Sequence, residues 1–259
     1  MRIYMGFDDT DDKNATMGTG RLVREFVYGL DSDCHVIGVV RHQLPRLQNI
    51  PYTSNNSSAC AIIEISPDSN LDYLRTQATE HLHKYCAPGS DPGLCLARED
   101  EVNSEILEFS KTVTGRRKTQ QDAMHAARKI ELYGLGGTND GIIGATAAVG
   151  LTVYGWCGRF IEYGRLRDLG SNLHVQDLHK AGIDVISTDR DPLVPLPGDE
   201  ICNAAWIRPS LWGGRPVLQV KRIDYGIWEP AHGKRKKGNM QPGSQNRATV
   251  ESGKFTDMN

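Results

Sequence analysis

The stretch that decides the fold lies near the amino terminus and is Ile3-Tyr4-Met5-Gly6-Phe7-Asp8-Asp9-Thr10-Asp11-Asp12. Its apolar first half followed by four carboxylates is typical of a buried strand that opens into an acidic loop. Carboxylates this close repel one another unless a cation or a row of hydrogen-bond donors offsets the repulsion. Magnesium prefers such oxygen ligands, so the cluster predicts a Mg²⁺ site. The alternative is an Asp-rich turn whose side chains cap local backbone amides.

Outward from this stretch, the first hundred residues alternate between strand and helix patterns. Strands are expected at 2–7, 35–41, 58–65 and 93–97. One helix follows Gly18-Thr19-Gly20, and a second begins within 67–70 and ends near Pro88-Gly89. The order βαββαβ is that of the split βαβ, or ferredoxin-like, fold.

The second half predicts further α/β structure around a glycine-rich loop. Two helices are expected at about 101–113 and 119–131, and a third at 142–149. Strands are expected at 158–163, 183–187, 200–207 and 216–221. The fold class is therefore α/β (α+β), with a ferredoxin-like half at 1–98, an α/β half at 99–228 and a disordered basic tail at 229–259.

Thr19 stands at a predicted helix start, between two glycines. Amides at a helix amino terminus favour negative charge, and glycine lets a phosphate approach closely. We therefore consider a nucleotide site at Thr19 with Thr10, Gly18 and Gly20. An N-cap role for Thr19 is an equally good interpretation of the spacing alone.

The loop 134–141 contains four glycines and opens a helix. It lacks the Gly-Lys-Ser/Thr of a P-loop, but successive backbone amides still bind anions. We expect Gly137, Gly141 and Gly144 to contact a nucleotide. The alternative is a flexible connection before a tightly packed helix of small residues.

Composition and charge limit the compartment and the partners. The 259 residues contain no run long enough to span a membrane and no signal-peptide pattern, and none of the six cysteines forms a CxxC pair, so we expect a cytoplasmic protein with reduced thiols. The formal net charge is −2. Residues 231–259 hold six basic and two acidic residues, so the tail carries +4 and residues 1–230 carry −6. Such a body lacks an overall basic surface for nucleic acid, although a local basic patch is possible.

Several of these motifs together resemble the archaeal tRNA(Ile) agmatidine synthase (TiaS) family. The resemblance runs through about residues 1–220 and does not include the OB-fold and zinc ribbon with which that family grips tRNA. It rests on the following segments, in this order: 8–11, Thr19, Ile50-Pro51-Tyr52, Asp91-Pro92-Gly93, 141–150, Cys202-Asn203 and 215–218.

The resemblance implies an enzyme that consumes ATP and joins agmatine to a tRNA cytidine. It implies a kinase-like half, magnesium and ATP phosphates on Asp8, Asp9 and Asp11, and a phosphate-accepting role for Thr19. We further expect Tyr52, Asn56 and Asp91 to contact the substrate.

Three functions follow from the sequence. The first is an ATP- and magnesium-dependent enzyme that activates an acceptor by phosphoryl or adenylyl transfer and condenses it with agmatine or a related amine. The second is a true tRNA-modifying synthase that obtains its RNA grip from a partner or from the tail, whose dense basic run is Lys234–Lys237. The third is a non-catalytic nucleotide or polyamine sensor. No membrane partner is expected, and the oligomeric state is left open.

Overall fold

The computed structural model describes residues 1–48, 50, 55–170, 173–188, 193–202 and 204–232. Three expectations fall on other residues: the Pro51-Tyr52 part of the polar loop, Asn203, and the tail from 233 onward. They lie outside the described residues.

The first half has the expected ferredoxin-like topology. Its elements are β1 (Arg2–Asp8), α1 (Thr19–Tyr28), β2 (His35–Gln43), β3 (Ser57–Glu64), α2 (Leu71–Tyr85) and β4 (Gly93–Arg98). The strand order is β4-β1-β3-β2, with each neighbouring pair antiparallel. The split βαβ prediction is confirmed.

The second half adds helices and short strands to the same sheet. Its elements are α3 (Ser104–Val113), α4 (Gln120–Ala126), β5 (Glu131–Gly134), α5 (Gly141–Tyr154), β6 (Arg159–Tyr163), β7 (Leu173–His174), α6 (Val175–Lys180), β8 (Asp184–Ser187), β9 (Glu200–Ile201), β10 (Ser210–Trp212), β11 (Arg215–Asp224) and β12 (Ile227–Pro230). In the described part of the chain, the sheet runs β5-β4-β1-β3-β2-β6-β10-β11-β12-β9-β7, and β8 pairs in parallel with β11. The class is therefore mixed α/β with one large sheet.

Successive side chains of β1 point alternately into two hydrophobic cores, one on each face of the sheet. Ile3, Met5 and Phe7 face α1 and α2, whereas Tyr4 faces α5 with the side chains of β3 and β4. This period-two pattern, with both faces covered, is what the apolar run predicts. A separate core under α6 is built from side chains of β11 and β12, among them Trp228 of β12.

Three predicted element bounds are wrong. The helix expected at 119–131 ends at Ala126, and Glu131 begins a strand, since residues 131–134 pair with β4. The strand expected at 200–207 stops at Ile201, where pairing with β7 and β12 ends. The tail was expected to begin at 229, but Glu229 and Pro230 belong to β12, because Trp228 is buried and the strand pairs with β11.

Two further observations concern the described chain as a whole. None of its helices is long and apolar enough to cross a membrane. No disulfide joins its cysteines, as the scattered cysteine positions predict.

Candidate functional site: an acidic cleft at one end of the sheet

The predicted acidic residues open into a cleft of about 870 Å³. It lies where β1 and β2 end and β3 and β4 begin, because the neighbouring strands are antiparallel and so bring these ends to one edge of the sheet. Its wall includes Asp8, Asp9, Asp11, Thr19, Asn56, Asp91 and Gly144. The structure thus gathers seven of the sequence-predicted site residues into one cleft.

The carboxylates of Asp8 and Asp9 are held in an unfavourable electrostatic environment. Burial, with the neighbouring charge of Asp9, raises the pKa of Asp8 to about 8. Burial, with the charges of Asp91, Asp11 and Asp140, raises the pKa of Asp9 to about 6. No Lys or Arg forms an ion pair with either carboxylate among the described residues. Such a cluster is stabilised by a cation.

Asp9 also has an unusual backbone. Its φ is 52°, in the left-handed region that Asp enters more readily than most residues. The chain turns here directly after β1, so that consecutive carboxylates, Asp8 and Asp9, both reach the cleft.

Asp12 has a different role from its neighbours. Its carboxylate accepts hydrogen bonds from the amides of Asn14 (2.8 Å) and Gly89 (3.3 Å). The turn-capping alternative is therefore confirmed for Asp12.

A magnesium ion fits this set of donors with help from a ligand. Among the residues that the structure describes, no group of three or more Asp, Glu, His or Cys side chains is arranged to hold a metal ion alone. Magnesium at phosphate-transfer sites usually takes one or two carboxylates and completes its shell with water and substrate phosphates. Asp8 and Asp9, whose carboxylates form no ion pair with a described Lys or Arg and have raised pKa values, are the donors that such an ion requires.

Thr19 is the first residue of α1 and not its cap. The N-cap residue is Gly18, which provides no side-chain hydrogen bond. Thr19 is 5% exposed and its hydroxyl is hydrogen-bonded to that of Thr10 at 3.0 Å. The N-cap alternative is thus wrong, and the hydroxyl lies at a helix amino terminus beside the acidic loop.

The two glycines that flank Thr19 have different surroundings. A Cβ on Gly18 would lie 3.2 Å from Oδ2 of Asp11, so Gly18 permits a close approach of the acidic loop. A Cβ on Gly20 would lie 2.9 Å from the Ile161 side chain, so Gly20 packs against β6.

The glycine-rich loop is tied to the cleft through Asp91. The hydroxyl of Thr138 donates to the Asp91 carboxylate, and the amide of Gly141 donates to the Asp91 carbonyl at 3.1 Å. Gly137 has a φ of 57° and lies against the same carboxylate. Amides at Leu135 and Asn139 already donate within the protein.

Two glycines of α5 are required by close packing. A Cβ on Gly141 would overlap the Asp91 carbonyl oxygen, and one on Gly144 would overlap Oδ2 of Asp8. The tight packing that was the alternative interpretation of this helix is therefore present. Nucleotide contact by Gly137, Gly141 and Gly144 stays a prediction; of the three, Gly144 lines the cleft.

Asn56 and the α3–α4 connection also line the cleft. Asn56 donates to the Pro45 carbonyl at 2.7 Å, which fixes its side chain beside the cleft. Arg116, Arg117 and Lys118 line the same cleft. Nothing local in the sequence indicates that these three residues face the acidic loop. Asp140, whose side chain accepts from Gln120 at 2.6 Å, is a further lining carboxylate that the motifs did not indicate.

The comparisons with known proteins concern the fold. No protein-family profile matches the sequence, and no curated protein matches it. The architecture is nevertheless one that solved structures share. A tRNA fluorescent labeling enzyme is 23% identical, with a TM-score of 0.50. TiaS in a complex with an isoleucine tRNA and ATP is 22% identical, also with a TM-score of 0.50.

Both matches cover 58% of this chain and 36% of the other chain. This chain therefore corresponds to about a third of each of those proteins. The matches confirm the expected TiaS-like fold.

Proposed function

We propose that the acidic cleft binds ATP with Mg²⁺ and transfers a phosphoryl or adenylyl group to an acceptor, which is then condensed with agmatine or a related amine. One observation carries this proposal. Buried carboxylates with raised pKa values and a helix-terminal hydroxyl, that of Thr19, line the same cleft. A fold shared with a TiaS structure that contains ATP supports it.

Each part of the cleft has a chemical task in this proposal. Asp8 and Asp9, with Asp11, would hold Mg²⁺, which when bound neutralises phosphate charge. The first amides of α1 stabilise negative charge beside Thr19. Arg116–Lys118, which line the same cleft, would contact the phosphates. Phosphoryl transfer depends mainly on such positioning and charge neutralisation.

A cationic amine accounts for the remaining acidic residues. Asp91 and Asp140 add carboxylates beyond the one or two that a magnesium ion uses. An ammonium or guanidinium group offsets their charge through charge-assisted hydrogen bonds. We place the amine near Asp91 and Asn56. Tyr52, the third predicted substrate residue, is outside the described part of the chain.

Two alternatives remain. The chain could act as a true tRNA(Ile) cytidine agmatidine synthase, for which the basic residues Arg116–Lys118 beside the acidic cluster provide support. It could also be a nucleotide or polyamine sensor without turnover. A sensor does not need the hydroxyl of Thr19, so Thr19 separates the two classes.

The test combines turnover with labelling of the protein. Magnesium-dependent ATP consumption is measured with agmatine, spermidine, arginine or bulk tRNA, and the products are identified by mass. With γ-labelled ATP, transient phosphorylation of Thr19 should label the parent and Thr19→Ser but not Thr19→Ala. Thr112→Ala, which removes a hydroxyl bonded to the Glu108 carbonyl outside the cleft, is the matched control. No turnover with any acceptor contradicts the enzyme proposal, and equal labelling of Thr19→Ala contradicts the role of Thr19.

A further inference from the structure

A second cleft, of about 900 Å³, opens at the same end of the sheet, and we call it the basic groove. Its wall carries four cationic side chains and two aromatic rings: Arg41, Lys111, Arg159, Arg208, Tyr154 and Trp212. No Asp or Glu is among its described lining residues. A single-sign surface of this kind attracts an anionic ligand.

The fold forces two of these arginines together. Arg41 of β2 and Arg159 of β6 are directly opposite each other in an antiparallel pair. Like charges in such positions destabilise a sheet. None of Arg41, Arg159 and Arg208 forms an ion pair with a described residue, whereas Arg2 and Arg128 do.

The positive charges of Arg41 and Arg208 also lie near other positive charges, and no described carboxylate pairs with them. Burial and the charges of Arg208 and Arg46 lower the pKa of Arg41. Burial and the charges of Arg159 and Arg24 lower that of Arg208. The Nε atom of Arg208 is buried and has no hydrogen-bond partner in the described structure. A buried donor without a partner is costly, and a bound anion would satisfy it.

We propose that the basic groove binds a single-stranded nucleic acid, with phosphates on Arg41, Arg159 and Arg208 and bases stacked on Trp212 and Tyr154. Spaced cations interleaved with exposed rings are the combination with which proteins hold single strands. Trp212 is 41% exposed and Tyr154 is 40% exposed. A free phosphate would use one part of the groove and neither ring.

The basic groove and the acidic cleft share a wall. Arg41 in the groove donates to the hydroxyl of Ser57 in the cleft at 3.1 Å. Gln43 in the groove donates to the Asn56 carbonyl at 2.6 Å. A strand lying in the groove therefore ends beside the acidic cleft. This step rests on the proposed function and gives the enzyme an RNA acceptor, whereas binding in the groove does not depend on it.

The groove changes the expected source of RNA affinity. The net charge of −6 over residues 1–230 indicates no overall basic surface for RNA, and the one dense basic run in the sequence, Lys234–Lys237, lies outside the described residues. The average conceals a local cluster, because Arg41, Arg159 and Arg208 come from distant parts of the sequence and meet only in the folded sheet.

The test measures binding of a short fluorescent single-stranded RNA to the full chain by anisotropy, without ATP or magnesium, over a salt series. Arg159→Gln and Arg208→Gln should each weaken binding about tenfold and reduce the salt slope by about one. Arg21→Gln and Arg215→Gln remove the same charge from surface ion pairs outside the groove, and should change affinity less than about twofold. Trp212→Leu should weaken RNA binding at an unchanged salt slope. Unfolding curves for every variant confirm that it is folded.

Three results overturn the proposal. They are equal weakening by the control variants, stronger binding of duplex than of single-stranded RNA, and displacement of the RNA by inorganic phosphate at low millimolar concentration. Since the assay contains no ATP, a failure of binding is separate from a failure of ATP turnover. Full binding in a protein that never consumes ATP would reject the proposed function and keep the groove.

Discussion

The acidic cleft and the basic groove are built at one end of one sheet, yet the cleft buries neighbouring carboxylates, whereas the described lining of the groove holds cations and no Asp or Glu. In the cleft, burial and neighbouring carboxylates raise the pKa of Asp8 to about 8. In the groove, burial and neighbouring guanidinium groups lower the pKa of Arg41. In each place, folding brings like charges closer than they are in the unfolded chain.

This difference indicates two kinds of ligand: cations, namely Mg²⁺ and an amine, beside the buried carboxylates of the cleft, and an anionic strand in the groove. The rest of the surface behaves differently, since Arg2, Arg75, Arg98 and Arg128 all pair with carboxylates. The net charge therefore says little about what the protein binds, because the two unbalanced regions offset each other in the sum. If each region is a ligand site, removing its charge should lower its function and raise the stability of the free protein.

The largest effect is expected from removing a carboxylate of the cleft. Asp8→Asn or Asp9→Asn should lower magnesium-dependent ATP turnover by at least about 100-fold, since preorganised charge at a reacting phosphate has effects of this size. Asp12→Asn is the matched control, because Asp12 caps the amides of Asn14 and Gly89 and should lose less than about threefold. Turnover rates at saturating ATP decide this. Similar losses in Asp12→Asn would show that the whole loop acts only through its fold.

A smaller effect is expected from displacing a carboxylate without removing it. A Cβ at position 144 would collide with Oδ2 of Asp8, so Gly144→Ala should move that carboxylate and lower turnover about tenfold in a folded protein. The control is Gly115→Ala, because a Cβ there meets no atom within 4 Å. Kinetics and thermal unfolding are measured together, and normal turnover in Gly144→Ala would place the reacting phosphate away from Asp8.

The pH dependence of stability should reveal the acidic cluster directly. In the metal-free protein the pKa of Asp8 is about 8, against 3.8 for an ordinary aspartate. The folded state therefore keeps a proton that the unfolded chain has released, and the free energy of unfolding falls as pH rises from about 4 to about 8. Asp9, with a pKa of about 6, adds to this fall below pH 6.

The measurement compares urea unfolding of the parent and of Asp8→Asn in EDTA between about pH 5 and about pH 8.5. In this pH range the two proteins should differ only by the titration of Asp8. The parent should lose stability relative to the variant as pH rises. Buried His42, whose pKa burial lowers from 6.5 to about 3, has the opposite slope below its ordinary pKa, but it is common to both proteins and cancels. Parallel curves would contradict the environment assigned to Asp8.

The smallest effect concerns the groove without its ligand. Arg159→Gln should stabilise the free protein by about 0.5 kcal/mol, because it removes a like charge directly opposite Arg41. Arg2→Gln should change stability in the opposite direction, since Arg2 pairs with Glu64 and Glu99. Denaturant midpoints report both. A destabilised Arg159→Gln would mean that the arginine has a structural partner.

The sequence predicted the elements whose signals are local. The apolar run of β1, the period of α1 and the order βαββαβ were sufficient for the ferredoxin-like half and for the acidic cleft. The strands β5, β10 and β12 have only three or four residues each, and nothing in such short segments distinguishes them from loops. They exist because partner strands pair with them.

The basic groove was missed for a related reason. Arg41 and Arg159 are 118 positions apart, and only the register of β2 with β6 places them opposite each other. Register is set by tertiary pairing, which a single sequence does not show. Thr19 and Asp8 are only eleven positions apart, so the local motif was sufficient to predict that they meet at one site.

The pairing of β2 with β6 also bears on how the chain avoids self-association. An isolated segment 1–98 would expose the long edge of β2 and the apolar face that α5 covers. Exposed edges of this kind recruit strands from other molecules. The ferredoxin-like half is therefore expected to aggregate when it is produced alone, and during synthesis it must wait for residues 141–163 before its sheet is protected.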